Sequence, residues 1–158
     1  MAGPFELSLR QFAAEAGAKA DLVVHDVVAE IGSRIVERTP VGMPETWKEP
    51  PPPGYRPGAA RGNWQLTQDS PATGTLLVID PTGEVTKDKI AAAVPAKAAG
   101  KTYYLTNCLP YAWRLETGWS RQAPNGMVGL VAVEFNTIVN GVTAATINQN
   151  PQTLGVSF

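Results

Sequence analysis

The sequence predicts an α+β fold: a long N-terminal helix packed on a small, mainly antiparallel β-sheet, followed by a C-terminal helix and an extended tail. Three observations carry this reading. Apolar residues between Leu9 and Ile35 recur in steps of three and four, the spacing that lays one stripe along a helix. Short β-branched or alternating runs bounded by Gly, Pro and Asp follow in the middle of the chain, as strands do. A second helical repeat then runs from Met127 to Val142. With 158 residues, one domain over residues 1–158 is expected.

The first helix is expected over Ser8–Arg38, with Phe12, Ala16, Ala20, Val23, Val27, Ile31 and Ile35 on its apolar side. Ser8 would cap its start and Thr39-Pro40 would end it. Its length would be on the order of 45 Å. Asp26, Glu30 and Arg34, four residues apart, can pair on its wet side.

Residues 39–58 contain seven of the fourteen prolines, four of them in the run Pro50–Pro53. Proline lacks a donor and fixes φ, so a loop is expected here, partly polyproline, with Trp47 and Tyr55 as its large contacts. Residues 59–142 should hold the sheet and the last helix. Strands are expected at Asn63–Gln68, Thr75–Ile79 and Thr102–Thr106, with a short helix at Lys87–Ala93. In the last helix Val128, Val131, Ala132, Phe135, Ile138, Val139 and Val142 form one stripe, while Leu130 and Val133 fall off it. A helix apolar on two sides in so small a domain is expected to meet a neighbouring subunit. Residues 143–158, rich in Asn and Gln, are expected to be an extended tail.

Composition removes several function classes. A net charge of -1 gives no global attraction to nucleic acid or anionic lipid. Cys108 is the single cysteine, so no intrachain disulfide forms. No signal peptide is recognisable, and no uninterrupted apolar run of about 18 residues suggests a membrane span. The chain is expected to be cytosolic and soluble when made and to have no membrane partner.

The residues that could carry chemistry do not cluster in sequence. His25, the one histidine, has no second ligand at helical spacing, so a boundary position is expected. Cys108 could act as a thiol nucleophile only if the fold brought His25 to it, and that pairing would define a small hydrolase. Lys87, Lys89, Lys97 and Lys101 crowd one connection and could brush DNA backbone, although Glu84 and Asp88 beside them suit a solvated loop. No catalytic residue, metal site or cofactor is expected.

The segment Tyr111–Val128 reads as a contact surface. It combines Tyr111, Trp113 and Trp119 with Arg114, Glu116 and Arg121, then closes on Gln122-Ala123-Pro124-Asn125-Gly126-Met127. Aromatic and Arg side chains dominate protein interfaces. Ala112–Thr117 can form one helical turn ended by Gly118. That turn would set the Glu116 carboxylate against the backbone of the following loop. Gly118, Pro124 and Gly126 would shape the path into the last helix. Trp119 and Arg121, with Gln122, Trp113 and Arg114, are the interface candidates.

Three blocks in order resemble the tail-completion and neck protein family of long-tailed bacteriophages, which includes the lambda tail-completion protein. They are Arg38-Thr39-Pro40-Val41, then Gly58-Ala59-Ala60-Arg61-Gly62-Asn63-Trp64, then Asn107 and Pro110 through Met127. The Pro-rich residues 42–57 interrupt the family's direct connection between the first two blocks. Ala59-Ala60 stand where its Thr-Gly is expected. The resemblance implies structural roles for Arg61, Trp64, Tyr111, Glu116, Gly118, Pro124 and Gly126. It also implies a homo-oligomeric ring of six subunits in the virion neck. Such a ring completes the tail and joins it to the head connector, beside terminator or tail-tube proteins, with DNA passing through the lumen without sequence recognition. A tail terminator or minor tail component of the same neck is the alternative.

Overall fold

The computed structural model describes residues 4–46, 50–51 and 53–149. Helix α1 spans Pro4–Arg38, and a single 3-10 turn follows at Pro44–Thr46. Then come α2 (Ala59–Gly62), β1 (Trp64–Gln68), α3 (Glu84–Ala93), β2 (Tyr103–Asn107), α4 (Ala112–Glu116) and α5 (Val128–Gln149). The architecture is the expected α+β arrangement, with a two-stranded antiparallel sheet between long first and last helices. β1 and β2 pair from Trp64↔Asn107 to Gln68↔Tyr103.

The core forms where the C-terminal half of α1 meets everything else. Ile35 and Val36 of α1, Trp64 of β1, Ile90 of α3, and Met127, Val131 and Ile138 around α5 make one buried cluster. Each side chain buried to this degree contributes roughly 1.5–3 kcal/mol. Helix α5 runs antiparallel to α1. Thr146 Oγ1 donates to Asp26 Oδ2 at 2.8 Å. Nearer the other end, Glu134 receives Arg34 at 3.1 Å and Arg38 at 2.7 Å. The Arg38 guanidinium first, and Arg34 with it, hold the Glu134 carboxyl below its ordinary range.

The exit from α1 is fastened by side chains from two other elements. Thr39 is fully buried; its hydroxyl donates to Ile35 O at 2.7 Å and accepts the Trp64 indole N–H at 2.8 Å. Arg61 of α2 donates to Glu37 O at 3.1 Å and to Thr39 O at 2.8 Å. These are carbonyls that the end of a helix leaves without partners. A cation there also suits the negative end of the helix dipole. The same guanidinium reaches Pro81 O at 2.7 Å, so one side chain ties α1 to the turn that starts α3. That turn is itself organised by an anion. The buried Asp80 carboxylate accepts Gly83 N–H at 2.9 Å, Thr86 N–H at 2.8 Å and Thr86 Oγ1 at 2.7 Å.

Several sequence expectations change. Helix α1 begins at Pro4 rather than Ser8, and its expected stripe is not buried throughout. Phe12 is 60% exposed and Ala16 and Ala20 are exposed. Helix α5, lying antiparallel, ends about level with Val23, so among the described residues little remains to cover the earlier turns. Thr75–Ile79 is not a strand of the sheet. It runs beside β1 but is joined by side-chain amides instead of a backbone ladder. Asn63 Oδ1 accepts Leu76 N–H at 2.7 Å, and Asn63 Nδ2 donates to Leu76 O at 3.0 Å. The short helix starts at Glu84, three residues before the expected Lys87, because Asp80 supplies acceptors for its first turn. The expected extended tail is helical through Gln149: Thr146 is buried on α1 and carries the helix past Val142. Trp47 and residues 150–158 lie outside the described residues.

The Arg61 junction makes a direct prediction. Arg61→Lys keeps the charge but cannot serve three carbonyls from one planar fork. It should lower stability by about 1–2 kcal/mol in urea unfolding, whereas Lys89→Ala on the exposed side of α3 should change it by less than about 0.5 kcal/mol. Equal stability of the two variants would remove Arg61 from its place as the clamp.

Candidate functional site

The segment between α4 and α5 is built around Glu116. Its Oε2 accepts the N–H groups of Met127 at 2.8 Å and Val128 at 2.9 Å, and its Oε1 accepts that of Gly129 at 2.9 Å. These donors open α5, where a helix has unpartnered N–H groups and the positive end of its dipole. Burial alone would raise the carboxyl's pKa, but the three N–H groups outweigh it and hold the group below its ordinary value. The loop's sharp path needs glycine at two positions. Gly118 and Gly126 both have positive φ, 86° and 78°. A Cβ at Gly118 would lie 2.4 Å from Pro124 O, and one at Gly126 would lie 2.4 Å from Glu116 O. Ala123 and Met127 then enter the core at 4% and 1% exposure.

A second fastening holds the loop to the exit from α1. Gln122 Nε2 donates to Val41 O at 2.8 Å, and its Oε1 accepts Val41 N–H at 3.2 Å. Gln122, one of the interface candidates from the sequence, is exposed, and its amide pairs within the subunit. The reason is geometric, since a carboxamide carries a donor and an acceptor side by side and so matches the N–H and C=O of a single residue.

What this frame leaves outside is aromatic and basic. Trp113 and Trp119 are 73% and 74% exposed. The Arg114 guanidinium stands 5.1 Å from the Trp119 ring centre, a cation–π contact. Arg121 is exposed. Trp119 and both arginines border an open groove of about 810 Å³ whose walls include Val41, Met43, Tyr55 and Tyr111. Burial pushes the Tyr111 and Tyr55 phenols up, and the Tyr111 shift is increased by Tyr55. The groove can therefore offer neutral phenols, an indole face and two guanidinium groups.

The other sequence candidates are dispersed. His25 Nδ1 sits 3.1 Å from Asp26 Oδ1 on α1. Cys108 Sγ donates to Ala72 O at 3.2 Å. Cys108 follows Asn107, which pairs with Trp64, and Trp64 bonds Thr39. His25 lies fourteen residues before Thr39, about 21 Å along the helix axis. The two do not form a nucleophile–base pair. Of the lysine cluster, Lys87 pairs with Glu37 and Glu84, and Lys97 with Asp21. Among the described residues no three His, Cys, Asp or Glu side chains come together as a metal-binding group. Sequence reasoning missed Asp80, although an acid shortly before a helix with Thr86 beyond it was a readable sign. It also missed Glu134, whose two arginine partners lie about a hundred residues away.

The two helix-start carboxylates set a pH dependence. Asp80 and Glu116 both have folded pKa values below the ordinary carboxylate range. Their stabilisation is therefore complete above about pH 4–5 and is lost as pH falls through the lower folded values. Glu116→Gln should cost on the order of 1–2 kcal/mol at pH 7. Its deficit relative to wild type should shrink as the pH is lowered toward 3, measured by urea unfolding. A deficit unchanged between pH 7 and pH 3 would show that the charge plays no part.

No protein-family profile, curated protein or solved structure matches this chain.

Proposed function

We propose that this chain is a structural subunit of a homo-oligomeric ring in the neck of a long-tailed bacteriophage, where it completes the tail and joins it to the head connector. One observation carries the self-association. Leu130, Val133, Thr137, Asn140, Ala144 and Ile147 follow one another in steps of three and four along α5, and all six are exposed. This is the spacing of a helix seam that packs into another helix. Glu134 is the only charged residue in Val128–Gln149, and its charge is met by Arg34 and Arg38 of α1. The outer seam thus carries no charge to oppose contact, and Val133 is 86% exposed. Asn140 at a seam position is the kind of polar residue that fixes register.

The placement in a phage neck is supported by the three sequence blocks. In this fold they come together as one unit: Thr39, Arg61 and Trp64 at the exit of α1, and Glu116 through Met127 at the entry to α5. The Trp113, Trp119, Arg114 and Arg121 surface lies on the segment that leads into α5. Two unlike surfaces suit a subunit that meets its copies through one and an adjoining ring through the other. A membrane offers a competing partner for α5, which is long and apolar enough to cross one.

The test separates these partners. Wild-type protein should sediment as a multiple of its 16.8 kDa mass, and Val133→Lys should lower that multiple with an unchanged circular dichroism spectrum. A monomeric wild type that floats with phosphatidylcholine vesicles would overturn the ring reading in favour of a membrane. In an infectious clone, Trp119→Ala should leave filled heads and complete tails unjoined; normal infectious particles would contradict the neck assignment.

A further inference from the structure

The segment Thr75–Ile79 has the form of a strand with one side unused. Thr75, Leu77 and Ile79 are exposed while Leu76 and Val78 are half-buried, the alternation of an extended chain. Toward β1 Asn63 serves both the N–H and the C=O of Leu76, and Gln65 Nε2 donates to Gly74 O at 2.7 Å, while among the described residues none reaches Val78. Backbone groups alternate sides along an extended chain. Those of Thr75, Leu77 and Ile79 therefore point away from β1. Among the described residues no hydrogen bond reaches them. Leu77 is fully exposed, at 104%. Exposed edges are ordinarily blunted by charge or proline, yet residues 72–79 contain neither.

We infer that Thr75–Ile79 is a docking edge for residues Thr153–Phe158 of a second copy of this chain, added as a β-strand. The sequence of that segment fits the edge. Leu154, Val156 and Phe158 alternate with Gly155 and Ser157, without charge or proline. One face of such a strand can cover Leu77 and Ile79 while its backbone meets the free N–H and C=O groups. β1 and β2 are already paired with each other.

The donor is a second copy because the chain's own segment starts in the wrong place. Arg61 ties residues 81 and 82 to residues 37 and 39 of the α1 exit, so the edge lies at that level. α5 leads away from it: Thr146 is already level with Asp26, about 17–20 Å back along α1. The seven residues from Gln149 to Val156 reach at most about 25 Å and would first have to reverse direction. A neighbour meets no such limit. Each copy would give one strand and receive another, a head-to-tail contact of the kind that closes into rings. This contact is independent of the α5 seam and of the neck assignment.

Cysteine pairing tests it in a Cys108→Ser background. Leu77→Cys protein is mixed with Val156→Cys or Leu154→Cys protein and oxidised; paired antiparallel strands place opposite Cα atoms about 4.5–5.5 Å apart, within the span of a disulfide. The expected result is a covalent dimer on mixing, with neither protein dimerising alone, and a ladder of multimers when both cysteines are in one chain. Lys89→Cys on α3 should give no dimer with either partner. An internal disulfide in the double variant would overturn the proposal, since the segment then docks on its own chain. Dimerisation of Leu77→Cys alone would overturn it in favour of edge-to-edge pairing. Absence of any disulfide, or equal reaction of Lys89→Cys, would also overturn it.

Discussion

The end of α1 is the constraint on which the rest of the structure depends. A helix terminus leaves carbonyl groups that must find donors. Here Arg61 supplies them for Glu37 and Thr39, while the Thr39 hydroxyl holds the Trp64 indole. One helix end thereby fixes where β1 begins, and through Pro81 where α3 begins. β2 follows by pairing with β1. Gln122 grips Val41 two residues farther on, so the loop before α5 is referred to the same point. Removing this junction would leave the sheet and both later helices without a common anchor.

Two carboxylates repeat one solution at the other helix ends. Asp80 satisfies the start of α3 and Glu116 the start of α5, each from outside the helix it serves. Asp80 is buried and Glu116 half-buried, yet both are held below the ordinary carboxylate range, Asp80 by the Thr86 hydroxyl with N–H groups and Glu116 by three N–H groups. For Glu116 this has a consequence at the surface. With the loop drawn inward by the carboxylate, Ala123 and Met127 fill the core, and Trp113, Trp119 and Arg121 remain outside. The exposed aromatic patch is in this sense a product of the Glu116 hydrogen-bond pattern.

Much of this was legible in the sequence because it is local. Helical spacing located α1 and α5, loose alternation (Trp64 and Leu66, then Tyr103 and Leu105) located both paired strands, and the Gly and Pro positions of Tyr111–Val128 implied the turn that Glu116 organises. What was not legible depends on contacts distant in the chain. Nothing near Thr75–Ile79 says that Asn63 will take the place of a strand neighbour. The exposure of Phe12 follows from where α5 ends, which no residue near Phe12 encodes. Gln122 has the composition of an interface residue, and its pairing with the Val41 backbone depends on a contact across 81 residues. The extension of α5 past Val142 rests on the Thr146–Asp26 bond, made across 120 residues.

The proposed assembly joins these features to a role. An uncharged seam on α5, an aromatic and basic patch beside the α4–α5 loop, and an open edge at Thr75–Ile79 are three surfaces that a single copy leaves uncovered. Electron microscopy of the purified protein at assembly concentration tests this most directly. The account predicts closed rings in which the α5 seam lies at the boundary between adjacent subunits and Trp119 faces an end of the ring. Monomers, or rings with Leu130, Val133 and Ile147 turned to solvent, would contradict it.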